Sequence, residues 1–254
     1  MLSQSAIVLG ILELDEGLSP DGPSFAPREA SLVNPATFGA PIITEIVEGA
    51  LAEAVIRGDA TLEGTCVAAA RRLVKRGASV IAGDCGFLMR HQDAISAAVD
   101  VPVITSSLLL IPTLLRQLAP AKKLAVLTAD ARHLSEDLLG IQDAEKRKRV
   151  VVGGVEDGVY MRNALARPFV RTDVDQIERE VGDRIERLRG EHPEIAMLLF
   201  ECTGFPVVAK ALRRKTGLPI YDITDLCKVT LAAVSAGSGN LNSGDKWNFC
   251  LTLA

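Results

Sequence analysis

The chain has few cysteines, and none is spaced for pairing. Its 254 residues include five, an odd number, with no CxxC among them; this argues against a disulfide framework or a zinc ribbon and makes reduced thiols the default. Histidine is scarcer still: His91, His133 and His192 share no metal-ligand spacing, so no metal site is expected. There is no GxGxxG, and Gly153-Gly154 after a strand-like run is too little for a phosphate loop. No apolar run approaches the roughly 18 residues that a membrane span needs. The first apolar stretch, Ala6 to Leu12, has no basic segment before it and is followed by Glu13 and Asp15. It therefore reads as a strand and not a signal peptide, and a cytoplasmic protein without membrane association is expected. A surplus of positive charge is also missing. The formal net charge is −4, which leaves no footprint for nucleic acid, and the one basic run, Lys146-Arg147-Lys148-Arg149, reads as a solvated turn.

What is present is a globular composition, 48% hydrophobic and 24% charged, with core enough for one large or two small α/β domains. Strand-like runs fall at Ile7–Leu12, Ser79–Ala82, Val103–Thr105, Leu124–Thr128, Val150–Val152, Ala196–Phe200 and Ile220–Asp222. Helical patterns lie between them at about 41–57, 61–76, 88–99, 107–118, 131–140, 173–189, 205–216 and 223–236. This alternation predicts βαβ units and a mainly parallel α/β architecture. Short, continuously apolar runs suit strands buried on both faces.

Two stretches look like one device used twice. Gly83-Asp84-Cys85-Gly86-Phe87 ends an apolar run and is followed by Val101-Pro102; Glu201-Cys202-Thr203-Gly204-Phe205 ends another and is followed by Leu218-Pro219. Each cysteine precedes its proline by 17 residues (102 − 85 and 219 − 202). A shift of 117 residues (202 − 85) also carries Ile7–Ile11 onto Leu124–Thr128. Duplicated halves of this kind predict two pseudosymmetric lobes, residues 1–105 with 221–254 and residues 106–220. Each lobe has a sheet flanked by helices, and the two thiols face each other across a cleft at the carboxyl ends of the strands. Cys66, Cys227 and Cys250 read as structural.

Two opposed thiols suggest proton transfer at carbon. A proton on carbon next to a carboxylate or carbonyl is a very weak acid. Its removal needs a base on one face, and a donor on the other if the product is the mirror image. A cysteine at a helix start gains thiolate character from the dipole and from free backbone N–H groups, and the same groups can hold a carboxylate or enolate oxygen. Asp84 and Glu201 stand symmetrically before the cysteines, and strand alternation points each away from its thiol.

On Gly83-Asp84-Cys85-Gly86-Phe87, Leu127-Thr128-Ala129-Asp130 and Glu201-Cys202-Thr203, and on the order of elements over about residues 5–236, the chain resembles the aspartate/glutamate racemase superfamily. That superfamily includes hydantoin racemases, maleate isomerases and arylmalonate decarboxylases. The resemblance implies a cofactor-independent enzyme with one acid/base cysteine per lobe, Cys85 and Cys202, and a Thr203 that binds substrate through its hydroxyl and backbone N–H. Thr128 matches the family's carboxylate-binding threonine, or else caps the strand end. Asn34-Pro35 resembles a segment lining the site of hydantoin-racemase-like members, or else caps a turn. With Gly86, Phe87 and Gly204 these make the expected substrate contacts. Amino-acid racemases of the family commonly have Cys-Asn-Thr where this chain has Cys85-Gly86-Phe87; with Phe205, that suggests a more apolar pocket for a less charged substrate.

The expected activity is racemisation or epimerisation of a small carboxylate or amide such as an amino acid or hydantoin. Maleate-isomerase-like chemistry, decarboxylation and a non-catalytic binding protein are the alternatives. A homo-oligomer is expected. Residues 13–41 are too long for an ordinary connection and read as a cover or as disorder. The tail, with Trp247 to Leu251, reads as docking on a partner subunit or on the chain's own core.

Overall fold

Residues 7–16 and 25–236 are described by a computed structural model; the tail beyond residue 236 and part of the long N-terminal connection lie outside the described residues. The short aliphatic runs pair as strands of two parallel sheets. The first holds β1 (Leu9–Glu13), β2 (Ile42–Ile46), β3 (Val80–Gly83) and β4 (Val103–Ile104) in the order β2-β1-β3-β4. The second holds β5 (Lys123–Thr128), β6 (Val150–Gly154), β7 (Ile195–Phe200) and β8 (Ile220–Tyr221) in the order β6-β5-β7-β8. The two orders are the same, strand for strand, and every neighbouring pair is parallel. Helices close the connections: α1 (Ala52–Arg57), α2 (Glu63–Lys75), α3 (Gln92–Ser96), α4 (Ile111–Gln117), α5 (Ala144–Arg147), α6 (Val159–Leu165), α7 (Val174–Glu191), α8 (Pro206–Thr216) and α9 (Ile223–Ala236). None of these is long and apolar enough to cross a membrane.

Matching bonds fix the strand ends. Asp84 N donates to Leu12 O and Glu201 N donates to Leu127 O, each at 2.8 Å. Both cysteines therefore leave their sheets at equivalent points, just past the central strand pair. β3 is buried throughout, as a strand covered on both faces should be. The largest core cluster is shared between the halves, joining Leu12, Ile81 and Phe87 to Leu124, Val126 and Leu199. Last in the chain, α9 packs back on the first sheet, where Ile223, Cys227 and Leu231 meet Leu9, Ile11 and Val80.

Four stretches differ from the sequence reading. The helix expected from residue 41 begins only at Ala52; before it, Ile42–Ile46 is an edge strand pairing with β1 from Leu9↔Ile42 to Glu13↔Ile46. The stretch 131–140 forms two short 3-10 turns, Ala131–His133 and Glu136–Leu139, and not one helix. Helix α6 was not expected at all. The basic run, expected as a turn, lies on and just after α5, a short helix that was also not expected, where Lys146, Arg147 and Lys148 pair with Asp143, Glu136 and Glu145.

Candidate active site

Each cysteine sits where an apolar strand opens into a turn, and the two turns interlock. The residue before Cys85 meets the residue after Cys202: Thr203 Oγ1 donates to the Asp84 carbonyl at 3.0 Å. The residue after Cys85 meets the residue before Cys202: a Cβ on Gly86 would lie 2.3 Å from Glu201 Oε1 and 2.4 Å from its carbonyl oxygen. Only glycine fits at position 86 because Glu201 crosses over from the other half. The crossing brings the thiols close enough for a charge on Cys202 to raise the pKa of Cys85. Both cysteines are partly buried and unpaired.

The sulfurs have matching backbone partners. The Phe87 N–H faces Cys85 and the Gly204 N–H faces Cys202, each two residues on, and each favours the thiolate. Burial outweighs them. Cys202 is pushed up to about 12 by burial and then by the neighbouring Glu201, and Cys85 is raised well above its ordinary value by the same two causes in the same order. The expected lowering by a helix dipole is not realised, because Cys85 opens only a 3-10 turn and α8 starts at Pro206, four residues past Cys202.

One side chain at the site escaped the sequence reading. Tyr160, on the second position of α6, places its hydroxyl 3.1 Å from Cys202 Sγ. Its ring lies 5.3 Å from that of Phe205 and directly over Gly204, where a Cβ would come within 2.0 Å of the phenol oxygen. No motif marks Tyr160, which lies 42 residues from Cys202.

The other expected contacts are distributed differently. Thr128 is fully buried and donates to Glu201 Oε2 at 2.8 Å; the threonine expected to hold a substrate carboxylate holds the protein's own. Glu201, 1% exposed, therefore points into the interior behind the thiols, and its Oε1 has no hydrogen-bond partner among the described residues. Burial pushes this carboxyl up to about 7, against the Thr128 bond and the Arg90 charge. Phe87 and Phe205 are 1% and 0% exposed. They belong to the cores and not to a pocket wall: Phe87 packs in the cluster with Leu12 and Ile81, and Phe205 meets Phe200 edge to face at 5.7 Å. Gly86 and Gly204 are places of close approach inside the protein. Asn34 is spent on its own turn: Oδ1 accepts from Ala36 N at 3.0 Å and Nδ2 donates to Arg28 O at 2.8 Å.

Carboxyls crowd the first-lobe side. Asp84 is pushed up to about 8 by burial and then by the charges of Glu13 and Glu16. Glu16 is itself raised by burial and by Glu13. Among the described residues no group of three or more His, Cys, Asp or Glu side chains could hold a metal ion.

The described part of the long N-terminal connection reaches the second lobe. Arg171 Nη2 donates to Ala26 O at 2.8 Å, Arg28 donates to Thr172 O, and the Phe25 and Phe169 rings meet edge to face at 6.1 Å. Two cavities lie apart from the thiols, one of about 240 Å³ beside Gly154 and Arg184 and one of about 450 Å³ between Phe38 and Leu231.

No protein-family model matches the chain. It is 31% identical over 153 residues to a dimethylsulfoniopropionate lyase of Durusdinium sp. clade D, covering 58% of this chain and 50% of that one. It is 27% identical over 237 residues to dimethylsulfoniopropionate lyase 7 of Emiliania huxleyi, covering 89% and 67%. The chain thus spans between half and two thirds of the length of these relatives. Among solved structures it is similar to a mutant of arylmalonate decarboxylase, with TM-score 0.55, 17% identity and coverage of 93% and 97%. It is also similar to glutamate racemase from Francisella tularensis in complex with D-glutamate, with TM-score 0.54, 15% identity and coverage of 94% and 85%. The chain therefore has the two-lobed α/β fold of these solved structures.

Proposed function

We propose that this chain is a cofactor-independent lyase for a β-sulfonio carboxylate of the dimethylsulfoniopropionate type. The observation that carries the reading is the gathering of Asp84, Glu13 and Glu16 next to Cys85, where burial and then mutual repulsion hold Asp84 and Glu16 up, a repulsion that a substrate cation would relieve. A simple dicarboxylate would add to that repulsion. A zwitterion places its cationic sulfur against the carboxyls and its carboxylate on the other side. The names of the relatives point to the same substrate.

The reaction needs one base and no redox partner. A cysteine thiolate takes the proton on the carbon next to the carboxylate, and the C–H electron pair becomes the second bond of acrylate. The C–S pair leaves with the sulfonium sulfur, which departs as neutral dimethyl sulfide. The thiol then returns its proton to water, so the sum is sulfide, acrylate and one proton. Racemisation is a second reading, favoured by the matched N–H groups that face both sulfurs.

The test is to supply dimethylsulfoniopropionate and measure headspace sulfide and acrylate. Equal amounts of both are expected from the wild-type chain, and none from the double variant Cys85→Ser, Cys202→Ser. A chain that releases no sulfide but exchanges the α-proton of amino acids or hydantoins in D2O would overturn the lyase in favour of the racemase.

A further inference from the structure

The two halves match strand for strand, yet among the described residues only one thiol has a side-chain partner. Cys202 faces the Tyr160 hydroxyl at 3.1 Å; Cys85 has the Phe87 N–H and no side-chain donor among the described residues. The helix equivalent to α6 in the first half is α1, since each follows the edge strand of its sheet. Its second residue is Glu53, which is exposed and paired with Arg57 at 2.9 Å. Among the described residues no counterpart of the phenol therefore reaches Cys85.

Tyr160 is also held from several sides. Glu180, on α7, accepts from Val159 N at 2.7 Å through Oε1 and from Tyr160 N at 3.2 Å through Oε2, and Gln176 Nε2 donates to the same Oε1 at 2.7 Å. That satisfies two of the free N–H groups at the start of α6. Gly204 leaves room for the phenol against it and Phe205 backs the ring. Burial and the neighbouring Cys202 keep this phenol well above its ordinary pKa, so it remains an O–H. Facing a thiolate, a phenol that cannot ionise can only donate.

We propose that Tyr160 is a catalytic residue that donates its O–H to the Cys202 sulfur, stabilises the thiolate there, and so makes Cys202 the base while Cys85 stays a thiol. This rests on the lyase reading for its reaction, and it goes beyond that reading in breaking the equivalence of the two cysteines. A racemase needs each thiol to serve in turn as acid and base, so a donor on one alone unbalances it. An elimination takes a proton and returns none to carbon, so one stabilised thiolate is enough. Paired titratable groups whose surroundings differ in this way divide the acid and base roles.

The experiment is the pH dependence of iodoacetamide alkylation, read separately at Cys85 and Cys202 by peptide mass spectrometry. It compares the wild-type chain, Tyr160→Phe, and a chain with 3-fluorotyrosine at position 160, whose more acidic phenol is the better donor. The Cys202 profile is expected to move up by about one pH unit in Tyr160→Phe, roughly tenfold slower alkylation below the midpoint, and down with fluorotyrosine, while Cys85 keeps its profile. A merely structural role for the ring would not shift the profile in opposite directions. A Cys202 profile unmoved by both changes, or a Cys85 profile moving with it, overturns the proposal. Because alkylation needs no substrate, this result stands apart from whether sulfide is released. Where it is released, Cys202→Ser should abolish release and Cys85→Ser should retain a measurable fraction; the reverse pattern also overturns the assignment.

Discussion

At the scale of single residues, the site is governed by where carboxyls are buried. Glu201 is held above its ordinary value of 4.5, at about 7, chiefly because burial penalises its charge. The folded chain therefore binds this proton more tightly than the unfolded chain does. Its contribution to stability is fully present below about pH 4.5 and is lost as pH rises to about 7, on the order of 3 kcal/mol. Asp84 acts with the same sign over a window from 3.8 to about 8. The melting temperature of the wild-type chain should thus fall between pH 5 and 8. Glu201→Gln, which can still accept from Thr128, should flatten part of that fall, and melting curves of the two chains that stay parallel across this range would count against it. The cysteine pair was legible in the sequence because duplication repeats a spacing. The partner of Thr128 was not, because a threonine that binds a carboxylate looks the same whether the carboxylate belongs to a ligand or to Glu201.

At the scale of elements, most of the sheet was legible and its first edge was not. Residues 42, 43, 46, 47, 50 and 51 are apolar, a spacing that fits a helical face. Pairing with β1 and the β-branched Ile42, Ile43, Thr44 and Ile46 overrode it. Helix α6 escaped for a different reason: it has seven residues, starts at a glycine with no side-chain cap, and buries only Met161. Its start depends on Glu180, 20 or more residues away in the chain. Glu180→Ala should therefore cost about 1–2 kcal/mol, comparable to losing a helix cap, and lower the melting temperature by about 2–6 °C. It should also raise the Cys202 alkylation midpoint, since Tyr160 loses the brace that aims it. A melting temperature lowered with no change at Cys202 would show that the brace supports the fold alone.

At the scale of the whole molecule, the halves are tied through a shared core and again by a surface contact. The core joins Leu12, Ile81 and Phe87 to Leu124, Val126 and Leu199, and is supplemented by Thr203 Oγ1 donating to the Asp84 carbonyl at 3.0 Å. The surface tie is the contact of residues 25–28 with residues 169–172, made largely by exposed or half-exposed groups, including Phe25 at 40% exposure and an Arg171 guanidinium 5.3 Å from its ring. Such contacts are worth little singly, about 0.5–1 kcal/mol for a cation over an exposed ring, whereas the buried core is costly to open. Separation for substrate access should therefore begin at the surface tie. It lies close to the chemistry: Arg28 is within electrostatic reach of Tyr160, and the Arg167 charge acts on Glu16. Arg171→Ala removes both the bond to Ala26 O and the cation over Phe25. A loss of about 1 kcal/mol shifts an opening equilibrium roughly fivefold, so alkylation of Cys85 and Cys202 should both quicken several-fold at fixed pH, with the melting temperature changed by only a few degrees. Equal acceleration of the two thiols marks a change of access. Acceleration of Cys202 alone would instead mean that the substitution had reached Tyr160, and unchanged rates would place the path to the thiols elsewhere than under this tie.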